Sequence, residues 1–458
     1  MQELFHRLLQ WRDKRMEEYI KTLLEQVRCK KAHSMIEEEI RGHIEEQTEA
    51  NIASGMTEEE AIKEAVKDMG SPVEAGISLD RIHRPQMAWN MVIVMAVITI
   101  ISIVIHALIG KDGLGSSKFA FYSIVGFLIM LGVYRIDYSF MAKYAKVIAG
   151  AFILYLVAMN VGNIGVRVNG VNGLRIAGVQ ISTFAVMMLY IPVYGAVLYQ
   201  YYGSRWTGIF KALVWMLLPM LLTWELPCAS LVAILFISMA AMLSIAVGKG
   251  WFQISKKGFY ISFWGTAFVL PILVVKFATA FGFMVQYQII RMKSFLGGDE
   301  SCRYLANRLQ NSFRQSKWVG AGSADSLNYL SKSTDFNSSY ILAYLTSSYG
   351  IMVCLLVCCI LAILVVKSFR IALKQKNQLG MLMGCGCGMV FVMNIAINVL
   401  ENTGVLPAMQ TFLPFFSAGG SFIIVSYILI GMILSIYRYK NIHPRRFKKV
   451  EKEGKICL

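Results

Sequence analysis

Ten acidic residues follow position 84, and Glu451 and Glu453 of these lie within the last eight residues. Among the rest, Asp112, Glu225, Asp299, Glu300, Asp325, Asp335 and Glu401 fall on one side of an alternating series of apolar segments, so acid–base chemistry on that side draws on this short set. Asp299 and Glu300 are adjacent and follow Gly297-Gly298, a pattern that reads as a solvated turn or as a carboxylate pair able to accept a proton. Arg291, Lys293 and Arg303 flank the pair and supply positive charge suited to an anionic group. Lys276 lies within the apolar run Leu270–Phe277, where an ionisable side chain either has a functional role, snorkels to an interface or pairs with an acid such as Glu225. His106 reads as a packed or interfacial histidine.

The elements that must position these groups are apolar. Of the 458 residues, 56% are hydrophobic and 16% charged, against about a quarter charged in soluble domains. The net charge of +17 is uneven: residues 1–84 hold 13 Lys and Arg against 18 Asp and Glu, and residues 85–458 hold 32 against 10. A nucleic-acid binder is excluded, because the later cations separate apolar runs of membrane length instead of clustering on a solvated face. The nine cysteines form neither a disulfide nor a zinc framework; Cys354, Cys358, Cys359, Cys385 and Cys387 sit inside apolar runs as small hydrophobes. The charged N-terminus carries no cleavable signal peptide.

The pattern predicts an all-α polytopic membrane protein preceded by a small cytoplasmic helical bundle. In residues 1–84, Met35, Ile36, Ile40 and Ile44 share a helix face, and Thr57-Glu58-Glu59-Glu60 is a capping box opening a helix that Gly70-Ser71-Pro72 ends. The membrane domain spans 85–437, with ten apolar segments at 88–109, 119–135, 145–162, 180–200, 208–224, 229–247, 259–282, 340–366, 379–399 and 420–437. Lys and Arg concentrate in alternate short loops and in the basic tail 438–458, which places both termini in the cytoplasm. Residues 283–339 then form a long extracellular loop between the seventh and eighth helices, ordered by apolar residues such as Tyr304, Leu305, Leu309, Phe313, Trp318 and Val319. From Asn402 to Ser421, prolines, glycines and hydroxyl residues interrupt apolar sequence, predicting non-helical backbone around a polar-lined cavity or a plain re-entrant connection.

Residues 1–84 resemble the permease-prefix or HAAS-type module found ahead of some bacterial membrane proteins, through Ile36–Ile40 with His43, Gly55–Ala61 and Met69–Pro72. The stretch Leu413-Pro414-Phe415 with Ser417, Gly419, Gly420 and Ser421, and Asn402, Gly404 and Pro407 upstream, resembles the signature of the SEDS family (FtsW, RodA and SpoVE). Ser333-Thr334-Asp335-Phe336 and Asn172–Ile176 followed by Gln180-Ile181-Ser182 are similar to two further motifs of that family. Gln410, Ser333, Ile181, Thr183, Val186 and Trp224–Cys228 depart from its patterns.

The resemblance implies a peptidoglycan glycosyltransferase that polymerises lipid II, the undecaprenyl-pyrophosphate-linked disaccharide peptide, at the outer face of the bacterial cytoplasmic membrane. It implies a class B penicillin-binding protein as partner. The family's essential Asp follows an Arg in the loop after the seventh span, which maps to Asp299 after Arg291, with Glu300 as the alternative. Lys276, Arg291, Lys293, Arg175, Thr334, Asp335, Asn402, Ser417 and Ser421 are then the implied substrate-binding residues, and a divalent cation, Mg or Mn, is an optional cofactor that one acidic pair is too little to specify. The lost polar groups at Thr183 and Val186 keep open a non-catalytic scaffold that recruits the penicillin-binding protein, and the same cavity without a base would suit a lipid II flippase.

Overall fold

The structure, a computed structural model, describes residues 15–110, 113–161, 166–168, 171–176, 179–223, 229–280, 300–325, 329–330, 336–407, 409 and 411–441. The chain divides into two compact units, one comprising the N-terminal residues through Met87 together with the chain from Tyr437, the other Ala88–Ile436.

In the first unit, α1 (15–25), α2 (Lys30–Ala53), α3 (Glu58–Asp68) and α4 (Pro72–His83) enclose a core of Tyr19, Leu23, Ile36, Ile40, Ile44 and Ala65. The predicted capping box is present: Thr57 Oγ1 accepts from Glu60 N–H, and the Glu60 carboxylate accepts from Thr57 N–H. Ser71 caps α4 with Pro72 in its first turn, so Gly70-Ser71-Pro72 ends one helix and opens the next. Gly76 lets α4 approach α1 so closely that a Cβ there would lie 2.5 Å from the Leu23 carbonyl. The buried Asp80 closes the bundle by accepting from the backbone N–H of Arg28 at 3.0 Å and from its guanidinium at 2.8 Å. The start of the predicted tail belongs here: the Lys31 ammonium lies 5.1 Å from the centre of the Tyr439 ring, and Asn441 donates to the Ile82 carbonyl.

The second unit is a helical membrane domain. Eight of its described helices are long and apolar enough to cross a bilayer: Trp89–Ile109, Gly115–Arg135, Phe140–Asn160, Trp206–Thr223, Ser230–Gly248, Ile351–Leu373, Gln378–Asn402 and Gly420–Arg438. These belong to α5 (Trp89–Ile109), α6 (Gly113–Arg135), α7 (Phe140–Val161), α10 (Trp206–Thr223), α11 (Ala229–Gly248), α15 (Ile351–Leu373), α16 (Gln378–Asn402) and α17 (Gly420–Arg438). The seventh predicted segment is α12 (Lys256–Ala280).

Two predicted segments differ from single spans. The fourth is split into α8 (Thr183–Met188) and α9 (Tyr190–Tyr199), because Pro192 has no N–H to bond the carbonyl four residues back. The eighth divides into α14 (Ile341–Tyr349) and α15 at Gly350, whose φ of 102° is left-handed and whose Cβ would lie 2.7 Å from the Trp318 carbonyl. The chain at Lys317-Trp318 crosses there and accepts from the N–H groups of Ile351 and Met352. The Gly384-Cys385-Gly386-Cys387-Gly388 run of α16 is a packing surface: its glycines face Ala372, Pro192 with Met242, and Phe369, so helices on three sides approach its backbone.

A small antiparallel sheet adds to the all-helical prediction. It comprises β1 (Val166–Val168), β2 (Val171–Ile176) and β3 (Val179–Ser182) in that order, with Val168 opposite Val171 and Arg175 opposite Gln180.

Pairing with Arg28 holds the Asp80 carboxyl below its ordinary range. A lowered folded value means that the stabilisation is complete above the unfolded pKa near 4 and disappears as the pH falls through the folded value. Asp80→Asn should therefore raise amide exchange across α2 and α4 about tenfold at pH 7, with a difference from wild type that shrinks on acidification; hydrogen-exchange mass spectrometry of the full chain measures both.

Candidate functional site

Non-helical backbone links α16 to α17, and nearly all of it is buried from Thr411 to Ser417. Such backbone persists at membrane depth only with its polar groups satisfied. The end of α16 supplies much of that satisfaction. Asn394, Asn398, Glu401 and Asn402 follow helical spacing on an otherwise apolar helix and are all fully buried. The Glu401 carboxylate accepts from Met409 N–H at 2.8 Å, from Thr411 N–H at 3.2 Å and from the Thr411 hydroxyl, while Ser230 of α11 donates to the Met409 carbonyl at 2.8 Å.

The same end of α16 holds the segment that leaves the long loop. Asn402 Oδ1 accepts from Ala343 N–H at 3.0 Å, and its Nδ2 donates to the carbonyls of Ser339 and Asn398, both at 2.8 Å. Asn398 Nδ2 also donates to the Ser339 carbonyl, and to Thr411 Oγ1. Farther along, Ser417 Oγ donates to the Ser338 carbonyl at 2.6 Å and accepts from Leu413 N–H, while Ala418 N–H donates to the Asn337 carbonyl. Residues 337–343 are thereby sewn to the connection from both ends.

Ser421, at the start of α17, treats the sheet as a further strand would. Its hydroxyl donates to the Gln180 carbonyl at 2.9 Å and accepts from Ser182 N–H at 3.1 Å, covering the free edge of β3. From α5, the His106 ring stacks on Phe119 at 3.6 Å between centroids and its Nε2 lies 2.7 Å from the Phe416 carbonyl. A carbonyl only accepts, so Nε2 carries the proton. The adjoining Phe415 has a φ of 67°, a left-handed backbone held by burial against Phe391 and Tyr427.

The helix that opens the acid-bearing part of the loop rests on this connection. This helix, α13 (Glu300–Arg314), is strongly amphipathic, and Leu305, Leu309 and Phe313 pack with Leu330, Tyr340 and Ala343. Gly404, with a φ of 72°, faces α13 so closely that a Cβ would lie 2.4 Å from the Ala306 carbonyl. Arg308 is oriented by the rings of Tyr304 and Tyr329, with its guanidinium 5.4 and 5.2 Å from their centres. Trp318 and Val319, predicted to help order the loop, are instead exposed.

The predicted site residues divide into three groups. Asn402, Ser417 and Ser421 come together around one connection, with hydrogen-bonding capacity directed at backbone groups. Arg175 is exposed on β2 opposite Gln180, and Lys276 is exposed near the C-terminal end of α12. Asp299, Arg291, Lys293, Thr334 and Asp335 lie outside the described residues, as does the Glu300 side chain, although Glu300 is the first residue of α13. Thr183 is buried, with its hydroxyl 3.0 Å from that of Tyr155. Sequence reasoning missed Asn398, Glu401, Thr411 and His106 as members of the connection; the 394, 398, 401/402 spacing was the available signal for the first two.

Asn402→Ala removes an acceptor for Ala343 N–H and a donor to two carbonyls in a fully buried place. It should destabilise the membrane domain by about 2–4 kcal/mol, whereas Ser421→Ala at the partly exposed sheet edge should cost about 1 kcal/mol. Thermal unfolding in detergent, followed by the reactivity of buried cysteines such as Cys387, checks the order.

Comparison with known proteins follows the same residues. The chain matches the FtsW/RodA/SpoVE cell cycle protein family over residues 83–442. It is 25% identical over 179 residues to the probable peptidoglycan glycosyltransferase FtsW of Halomonas elongata, covering 38% of this chain and 45% of that protein. It is 24% identical over 316 residues to the protein of the same name from Aliivibrio salmonicida, covering 66% and 75%. A solved peptidoglycan synthase complex, described as coordinating polymerization and crosslinking, contains a chain of similar fold, with a TM-score of 0.63, 17% identity, and coverage of 77% of this chain and 98% of that one. With the family match spanning the membrane domain and the buried connection built on the family's own signature residues, this multi-pass membrane protein belongs to the FtsW/RodA/SpoVE family.

Proposed function

We propose that the protein is a peptidoglycan glycosyltransferase that polymerises lipid II at the outer face of the cytoplasmic membrane, with both termini in the cytoplasm. The observation that carries this reading is that the family's signature residues Asn402 and Gly404 bear directly on α14 and α13, the helix that begins at Glu300. Helix α13, whose first residue is Glu300, is thus packed against the connection between α16 and α17.

Asp299 is the general base in this reading and Glu300 its alternative. The carboxylate takes a proton from a sugar hydroxyl of the acceptor, the hydroxyl oxygen attacks the anomeric carbon of the donor, and the bond to the lipid pyrophosphate breaks with inversion. Lys276, Arg291, Lys293 and Arg175 offset the charge that develops on the departing pyrophosphate. Thr334 and Asp335 contribute to the same substrate surface, while Asn402, Ser417 and Ser421 act by fixing the backbone beneath it. Asp299 and Glu300 are hard oxygen donors of the kind that bind Mg or Mn, which when bound would neutralise pyrophosphate charge; the proton transfer assigned to Asp299 does not depend on one. A class B penicillin-binding protein is the partner that would cross-link the product.

One observation favours a second reading. Thr183 and Val186 stand where the family has Glu and Lys, and Thr183 is buried against Tyr155, an arrangement compatible with a scaffold that recruits the penicillin-binding protein without polymerising.

Lipid II polymerisation by the full chain with its partner in proteoliposomes separates these readings. Asp299→Asn should lower the rate about 100-fold or more and Glu300→Gln only a few-fold. Full activity in Asp299→Asn overturns the assignment of the base; no polymer from wild type, with the partner recruited normally, favours the scaffold; and lipid II transport without polymer favours a flippase.

A further inference from the structure

The exposed face of α2 and the sequence that follows Asn441 are oppositely charged, and Tyr439, just before that sequence, lies against Lys31 of α2. At 3.6 residues per turn, Glu38, Glu45 and Glu49 lie within about 40° of one another around the α2 axis, and Glu39 and Glu46 within roughly 100° of Glu38. All five are exposed, and among the described residues none forms an ion pair, whereas Glu37 and Glu17 are taken by Arg41. Residues 442–458 carry Arg445, Arg446, Lys448, Lys449, Lys452 and Lys455 against Glu451 and Glu453.

Where that segment starts decides what it can reach. Lys31, in the first turn of α2, lies over the Tyr439 ring, and Asn441 is bonded to Ile82 of α4. From Lys31 the stripe extends along α2 from about 10 Å at Glu38 to about 27 Å at Glu49. The 17 residues 442–458 span up to about 56 Å when extended, so their cations reach every glutamate of the stripe without the exit point moving. A leash this short sets an effective concentration in the millimolar range, which lets individually weak exposed ion pairs act together.

We propose that residues 442–458 dock along the Glu38–Glu49 stripe of α2 as an intramolecular clamp. The clamp engages the basic tail against its own bundle and thereby withholds it from anionic lipid, giving the first unit an electrostatic switch. It is independent of the chemistry assigned to the membrane domain.

The test uses the full chain in nanodiscs of phosphatidylcholine. At about 50 mM salt, zero-length carbodiimide coupling and mass spectrometry should join tail lysines to glutamates of α2, with a yield that falls about fivefold near 0.5 M, where the screening length shrinks to a few ångströms. Trypsin cleavage after Arg446 and Lys449 should be about fivefold faster in the Glu38→Gln/Glu45→Gln/Glu49→Gln variant than in wild type, with unchanged amide exchange in α3 showing that the bundle is folded. Absence of tail–α2 conjugates in the wild type overturns the proposal. So does protection that arises only when phosphatidylglycerol is added and is indifferent to the variant, which puts the tail on the lipid surface instead.

Discussion

The membrane domain depends on the buried amide of Asn402. It spends its oxygen on the N–H of Ala343 and its nitrogen on the carbonyls of Ser339 and Asn398, joining α16 to residues 339–343 in a place fully shielded from water. Leaving a polar group unpaired there costs on the order of 1–3 kcal/mol, so each partner confines the others. An aspartate or leucine would fail for different reasons, the first having no donor and the second leaving backbone groups unpaired. Glu401, one position earlier, extends the same logic to Met409 and Thr411. Its carboxyl oxygens are satisfied because two backbone N–H groups and a hydroxyl converge on them.

From that interaction the rest of the site follows by contact. The turn after Asn402 has to be left-handed and close to α13, and Gly404 meets both demands. The descending chain then reaches Ser417 and Ala418, which secure residues 337 and 338, and Ser421, which covers the sheet edge. A loop of more than fifty residues would otherwise have to order itself from its own few apolar side chains. Here its helix α13, its exit at 337–343 and the sheet that precedes α8 are all referred to one connection. Signature residues that read as ligands for a substrate direct their hydrogen bonds at the backbone.

Much of the helical frame was legible because apolar length is a strong signal: all ten predicted segments contain helix in the structure. The breaks at Met188–Tyr190 and Gly350 were not, because each depends on a neighbour: Pro192 denies a bond to one turn, and the crossing at Trp318 demands a glycine in the other. The sheet had a local signal that went unused. Asn169-Gly170 separates the paired Val168 and Val171, and Ala177-Gly178 separates Ile176 and Val179, both two-residue connections in a stretch of alternating side chains. Strands this short are overshadowed by the apolar runs on either side. Of the site, the residue types of the connection were legible as a set, but their partners were not, since 59 to 241 positions separate the ends of the bonds that Asn402 makes to Ala343 and Ser339 and that Ser421 makes to the sheet.

This division also explains where the chain departs from its family without losing the fold. Thr183 and Val186 replace family residues at positions that the hydrogen bonds of Asn402 do not touch. Thr183 finds a neutral partner in Tyr155, and the stretch around Gln410 is held on either side by the bonds to Met409 and Thr411. Where a residue's role is to satisfy buried backbone, no substitute of the same shape and bonding exists, so Asn402, Gly404, Ser417 and Ser421 remain as the family has them. Thr183 shows that divergence also reaches buried positions, provided that the new side chain finds a partner of its own, as its hydroxyl does in Tyr155.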